Sequence, residues 1–176
     1  LHRYDEALEC CARALEIRPN WIPVLITEAT ANSRLEKNDV ALKQFDMILD
    51  LEDTDDHGSG IPRQVENILL EKGTVLGKLD KHHEALKCFE EVRTREIKVW
   101  GKITSKLDKI QCPVHKGVAE LYIRALCLSV IAFGKLGMLK EMIECYEEIV
   151  NLDSTTPEIP KLKEAIESLK QKIGQK

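Results

Sequence analysis

Reactive side chains stand close together at several points of the chain, and each grouping must be weighed against the chemistry it would need. Cys112-Pro113-Val114-His115 places a thiol and an imidazole three residues apart, half of a metal site. No second Cys-x2-Cys or His-x3-His stands at a suitable distance to complete four ligands. Cys10 and Cys11 are neighbours, and neighbours on a helix point about 100° apart, so they do not share one ion. His82-His83 falls at an expected turn, where exposed histidines are ordinary. Asp53-x-Asp55-x-His57-Gly58 imitates a calcium loop, but His57 stands where an oxygen is required. Gln64 occupies the place of the closing bidentate glutamate. The run His57-Gly58-Ser59-Gly60 lacks the strand-turn-helix setting of a hydrolase nucleophile. Paired carboxylates at Glu90-Glu91 and Glu147-Glu148 lie in charge-rich helical stretches and read as solvated faces. The sequence thus predicts no catalytic residues, no metal site and no cofactor: this is not an enzyme.

A second kind of chemistry is electrostatic. Between Arg93 and Gly117 seven cations (Arg93, Arg95, Lys98, Lys102, Lys106, Lys109, Lys116) face two acids, Glu96 and Asp108. Ile97, Trp100, Ile103, Leu107 and Ile110 recur every three or four residues, so 96–110 is expected to form an amphipathic helix. Lys98, Lys102, Lys106 and Lys109 would then line one edge as a basic strip. The plainer reading is an added helix packed by its apolar stripe. The sharper one is an RNA- or anion-binding module for nucleic acid, an acidic peptide or anionic lipid. Trp100 alone accompanies the charges, so stacking platforms for single-stranded nucleic acid are lacking.

The elements that must position any such residues are helices. The 176 residues hold 26 basic and 30 acidic side chains, net charge −4, few glycines and prolines, and sparse aromatics. That balance suits one soluble helical domain and does not favour bulk attraction to nucleic acid. The longest uncharged stretch, Ala125 to Gly134, is too short to span a bilayer. Six cysteines in a chain rich in aliphatic residues need not be staples. Cys10, Cys88 and Cys145 are expected as small half-buried fillers in a reducing, cytoplasmic setting.

A recurring phrase organises these helices. Ala7-Leu8-x2-Cys11-x2-Ala14-Leu15 precedes Pro19, and 34 residues after Ala7 the phrase Ala41-Leu42-x2-Phe45-x2-Ile48-Leu49 begins. It returns as Ala85-Leu86-x2-Phe89-x2-Val92 and, degraded, as Met142-x3-Tyr146-x2-Ile149. A 34-residue helical period resembles the tetratricopeptide repeat. The resemblance implies an all-α right-handed α-solenoid of antiparallel helix pairs, about three and a half repeats, with an inserted helix and a C-terminal capping helix. The expected division is a second helix of a truncated repeat over 1–20 and a repeat over 21–52. A repeat over 62–97, an inserted basic segment over 98–117, a repeat over 118–153 and a capping helix over 157–174 follow. Beginning at Leu1, partway through a repeat, the chain is expected to be a fragment whose open first helix continues into further repeats or self-associates.

In this family a small residue of the first helix sits against a large one of the second. Ala29 and Phe45 fill these slots, then Gly73 and Phe89. In the last repeat Val130 departs from the small-residue pattern beside Tyr146 and is expected to push that pair slightly apart. Asn38 or Asp39 is expected to cap the second helix of its repeat.

The resemblance also implies a noncatalytic protein-protein interaction scaffold or adaptor, binding a peptide segment or partner subunit in a concave groove lined by first helices. Groove candidates are Thr27, Thr30 and Arg34, then Asn67, Glu71, Thr74 and Lys78, then Arg124, Leu128, Ile131 and Lys135. Some family members clamp the C-terminal carboxylates of heat-shock chaperones with lysines, asparagines and an arginine. Here Ile26 and Thr30 stand where a lysine and an asparagine would fall, and Glu71 opposes an anionic tail, so chaperone-tail binding is not expected. The first helix of the last repeat is apolar on every side from Leu121 to Phe133, which implies burial on more than one face, with internal cover favoured over a partner.

Overall fold

The computed structural model describes residues 3–54, 64–104, 113–152, 164, 167, 168, 170 and 171. It describes side chains at these positions except 52–54, 99–104, 113–119 and 151. Seven long helices run through them: α1 (Arg3–Ile17), α2 (Ile22–Arg34), α3 (Asn38–Thr54), α4 (Gln64–Lys78), α5 (His82–Thr104), α6 (Pro113–Leu136) and α7 (Leu139–Leu152). The described residues contain no strand. The chain divides into two compact units, Leu1–Lys81 and His82–Lys176, with the division between α4 and α5.

In the first unit, α1 stops at Ile17, just after its last periodic apolar residues and ahead of Pro19. Proline is tolerated where α2 opens because the first helical amides have no intrahelical partner, and Pro23 stands there. The core is Leu25, Ala29, Ala41, Phe45, Ile48, Ile68 and Val75, with Leu15, Ile22 and Leu79 among the residues packed around it. Ala29 and Phe45 are both fully buried, as the small and large slots require. Burying a phenylalanine side chain contributes about 1.5–3 kcal/mol. Around this core Asn32 Nδ2 donates to Gln44 Oε1 at 2.9 Å, tying α2 to α3 through a buried amide. The expected cap on α3 does not form through Asn38: its Oδ1 is buried without a hydrogen-bond partner. Asn38 already lies inside the helix, so its side chain cannot fold back onto the free amides from outside the first turn.

The second unit is built from α5, α6 and α7. Tyr122, Leu126, Val130, Met142, Cys145 and Ile149 form its core, with Phe133, Leu139 and Tyr146 packed against them. Val130 is buried among these residues, and Tyr146 in the large slot is only half-buried. The basic stretch takes a different form from a separate helix. Up to Thr104 it is the C-terminal part of α5, a single 23-residue helix. Its register also differs. Ala85, Cys88, Phe89, Val92 and Glu96 make the buried seam, and Ile97, the first residue of the expected apolar stripe, is 55% exposed. Of the expected capping helix, the described residues 164, 167, 168, 170 and 171 are helical, and Lys170 pairs with Glu147 of α7 at 2.7 Å.

One turn recurs three times. Lys37 N–H donates to Asn32 O, Lys81 N–H to Leu76 O and Met138 N–H to Phe133 O, at 2.9, 2.9 and 3.0 Å. Each is preceded by a residue with positive φ: Glu36 (60°), Asp80 (57°) and Gly137 (70°). These residues donate in turn to Ser33 O, Gly77 O and Gly134 O. The pattern is a Schellman end, which satisfies two otherwise unpaired helical carbonyls and reverses the chain tightly. It ends α2, α4 and α6 alike.

Candidate partner-binding faces

Because α2, α4 and α6 end on the same turn, residues at matching distances before it occupy matching positions. On α2, Thr27 and Arg34 are exposed and Thr30 is half-buried. On α4, Asn67 and Lys78 are exposed, and Glu71 and Thr74 are half-buried. The structure brings several of these together. Lys78 Nζ donates to Ser33 O of α2 at 3.2 Å, and Arg34 Nη2 lies 3.9 Å from Glu71 Oε2. Lys72 pairs with Asp46 of α3 at 2.6 Å behind this row. Thr27 and Thr74 donate their hydroxyl hydrogens to Pro23 O and Leu70 O, each one turn back and each at 2.8 Å. These hydroxyls keep acceptor lone pairs but have spent their donors on their own helix. The face is polar: Arg34 lies near Glu71, and Lys78 is held by a main-chain carbonyl. The Arg34–Glu71 pair is long and exposed, worth at most about 1 kcal/mol, so a ligand could exchange it at low cost.

The α6 face has another chemistry. Arg124, Ile131 and Lys135 are exposed, Leu128 is half-buried, and Ile131 reaches 60% exposure. Cys127, which the groove set omits, is exposed on the same stripe. Its surroundings desolvate the sulfur and push the thiol's pKa up, so it stays protonated at neutral pH. Internal cover of α6 is therefore incomplete: α5 and α7 bury Leu121, Tyr122, Ala125, Leu126, Ser129 and Val130, and leave this stripe outside. The cysteines expected as fillers divide likewise, with Cys88 and Cys145 buried and Cys10 exposed. In α1 the residue facing inward is its neighbour Cys11.

Arg93 has a role that sequence reasoning missed. Its Nη2 donates to Glu148 Oε2 of α7 at 2.9 Å and its Nη1 to Glu90 Oε2 at 3.0 Å. The guanidinium lies 5.7 Å from the centroid of the Tyr122 ring, and the Tyr122 hydroxyl donates to Glu148 Oε1. Burial works against the charge of Arg93, but hydrogen bonding at Tyr122 and the carboxylates of Glu90 and Glu148 outweigh it and raise its pKa. Burial first, then the bond to Glu148, pushes the Tyr122 phenol up. One cation thus joins α5, α6 and α7. Arg95 is also engaged, by Glu91 at 2.7 Å. Of the basic strip, Lys98 is exposed and Lys102 lies on α5, whereas Lys106 and Lys109 lie outside the described residues.

An open cleft of about 390 Å³ between α5 and α6 is lined by Leu86, Lys87, Glu90, Arg93, Ser129 and Phe133. Ser129 Oγ donates to Ala125 O at 2.8 Å, one turn back in α6, and is not poised as a nucleophile. Among the described residues no three His, Cys, Asp or Glu side chains gather as metal ligands, and no helix is long and apolar enough to cross a membrane. Cys112 and the acidic segment from Asp55 to Pro62 lie outside the described residues.

These features define an all-α protein of antiparallel helix pairs, the α-solenoid class. Residues 123–156 match the sequence profile of the tetratricopeptide repeat. Fifteen solved chains match the fold. One, described as "MamA RS-1 ArsTM double mutant", aligns with a TM-score of 0.58 and 17% identity, covering 98% of this chain and 88% of its own. No curated protein sequence matches the chain. The resemblance to the tetratricopeptide-repeat family thus rests on sequence over the last helix pair and on fold over nearly the whole chain.

Proposed function

We propose that the chain is a noncatalytic scaffold that binds a peptide segment or partner subunit on the groove-side residues of its first helices. The observation that carries this reading is the junction of α2 and α4. There Lys78 reaches Ser33 and Arg34 reaches Glu71, so the first helices of successive repeats lie side by side and form one continuous polar surface. In such arrays the repeated element, not a single cavity, presents the binding surface. Affinity purification from a lysate of the producing cells, with and without nuclease, tests it. A discrete protein that survives nuclease and is lost from a Thr30→Arg, Thr74→Arg variant supports the scaffold. Recovery of nucleic acid alone, lost when Lys98 and Lys102 become glutamate, would replace it with the anion-binding alternative.

A further inference from the structure

The α6 stripe carries more information about a partner than the polar face of α2 and α4. Its exposed positions, Glu120, Arg124, Cys127, Ile131 and Lys135, follow one another at three or four residues and trace a single edge of the helix. The middle is apolar: Cys127, the half-buried Leu128, and Ile131 at 60% exposure. Both ends of that apolar section are basic, Arg124 on one side and Lys135 on the other, with Glu120 a turn beyond Arg124. Lys135 has no ion pair among the described residues. A large aliphatic side chain left in water on an otherwise packed helix forgoes the stabilisation that burial against a partner would supply.

Building on the scaffold reading, we propose that this stripe docks an amphipathic partner helix bearing apolar side chains three or four residues apart, with carboxylates outside them. The apolar section spans about one and a half turns of α6, the length that i, i+3 and i+4 anchors of a partner helix cover. Charge complementarity selects acidic flanks, because Arg124 and Lys135 bracket the apolar section. Ile131 is the anchor, since exposed aliphatic area at the centre of a stripe becomes the desolvated centre of the contact.

Selection of a random 16-residue displayed-peptide library against the 176-residue chain tests this. The enriched peptide is then titrated by fluorescence anisotropy against wild type, Ile131→Glu, Ile131→Ser, Lys135→Glu, Thr74→Arg and, as the control away from both surfaces, Met47→Glu. Circular dichroism establishes that each variant is folded. The expected peptide carries paired apolar residues with Asp or Glu flanks. Its affinity falls about 10-fold or more with either Ile131 variant, about 3- to 10-fold with Lys135→Glu, and not at all with Met47→Glu on the exposed face of α3. Raising salt should reduce the Lys135 effect and spare the Ile131 effect. Peptides with basic flanks, or binding indifferent to Ile131 and lost with Thr74→Arg, would overturn the stripe and leave the scaffold standing. No enrichment would overturn both.

Discussion

The first helices of the two units end on the same turn and carry opposite surfaces. Those of the first unit, α2 and α4, present threonines, an arginine, a glutamate and a lysine that bond to their own helices or to each other. The first helix of the second unit's repeat, α6, presents Cys127 and Ile131 with basic ends. Both units have apolar cores, but they are tied differently. The first unit is apolar at its centre around fully buried Phe45. The second draws α5, α6 and α7 together around a charged arginine beside a tyrosine ring. One repeat backbone thus accommodates two distributions of polarity, because the Schellman turn fixes only where a side chain stands, not what it is.

The sharpest way to break this comparison is in the cores. Phe45→Ala should cost about 3–5 kcal/mol, while Tyr146→Ala, in the same slot but half-buried, should cost roughly half as much. Denaturant unfolding measures both, and equal losses would mean that the slots are equivalent. Next are the ion pairs. Arg93→Ala removes the cation from partly exposed Glu148, whereas Glu90 is solvated, and should cost about 1–2 kcal/mol. Arg34→Ala removes a 3.9 Å exposed pair and should cost under about 1 kcal/mol. A double-mutant cycle between Arg93 and Glu148 isolates the coupling.

Smaller effects belong to the turns. Glu36 holds a left-handed backbone that glycine adopts without strain, so Glu36→Gly should stabilise by about 0.5–1 kcal/mol. Gly137→Ala should destabilise by about 1 kcal/mol for the converse reason. Thermal melts compare them. The smallest effect is a rate. Iodoacetamide should label Cys10 and Cys127 ahead of Cys11, Cys88 and Cys145 when the folded protein is mapped by mass spectrometry. A raised pKa leaves Cys127 less thiolate at neutral pH, so its labelling should climb at a higher pH than that of free cysteine.

Periodicity made Ala29, Ala41, Phe45, Ala85 and Phe89 legible as inward-facing residues, because a helix packed on one side must place an apolar residue at every third or fourth position. It failed where a charged residue occupies the seam. Glu96 is buried one turn beyond Val92 on the same helix face, but its carboxylate was counted only as an acid among the cations, and the expected apolar stripe began instead at exposed Ile97. Arg93 was legible only as one cation among seven. Its role depends on Tyr122 and Glu148, which are 29 and 55 residues away and meet it only once α5, α6 and α7 pack. The groove set named Ile131 and Lys135 from their places in the repeat, and both are exposed on α6. It missed Cys127 between Arg124 and Ile131, because a cysteine in an apolar run reads as filler.

The account turns on the outward face of a first helix being where a protein partner sits. Site-specific photo-crosslinking in the producing cells addresses that directly, with benzoylphenylalanine at position 131 on α6 or at exposed Met47 on the second helix α3. The account predicts a discrete protein adduct from position 131 and none from position 47. Adducts from position 47 with position 131 silent would contradict it.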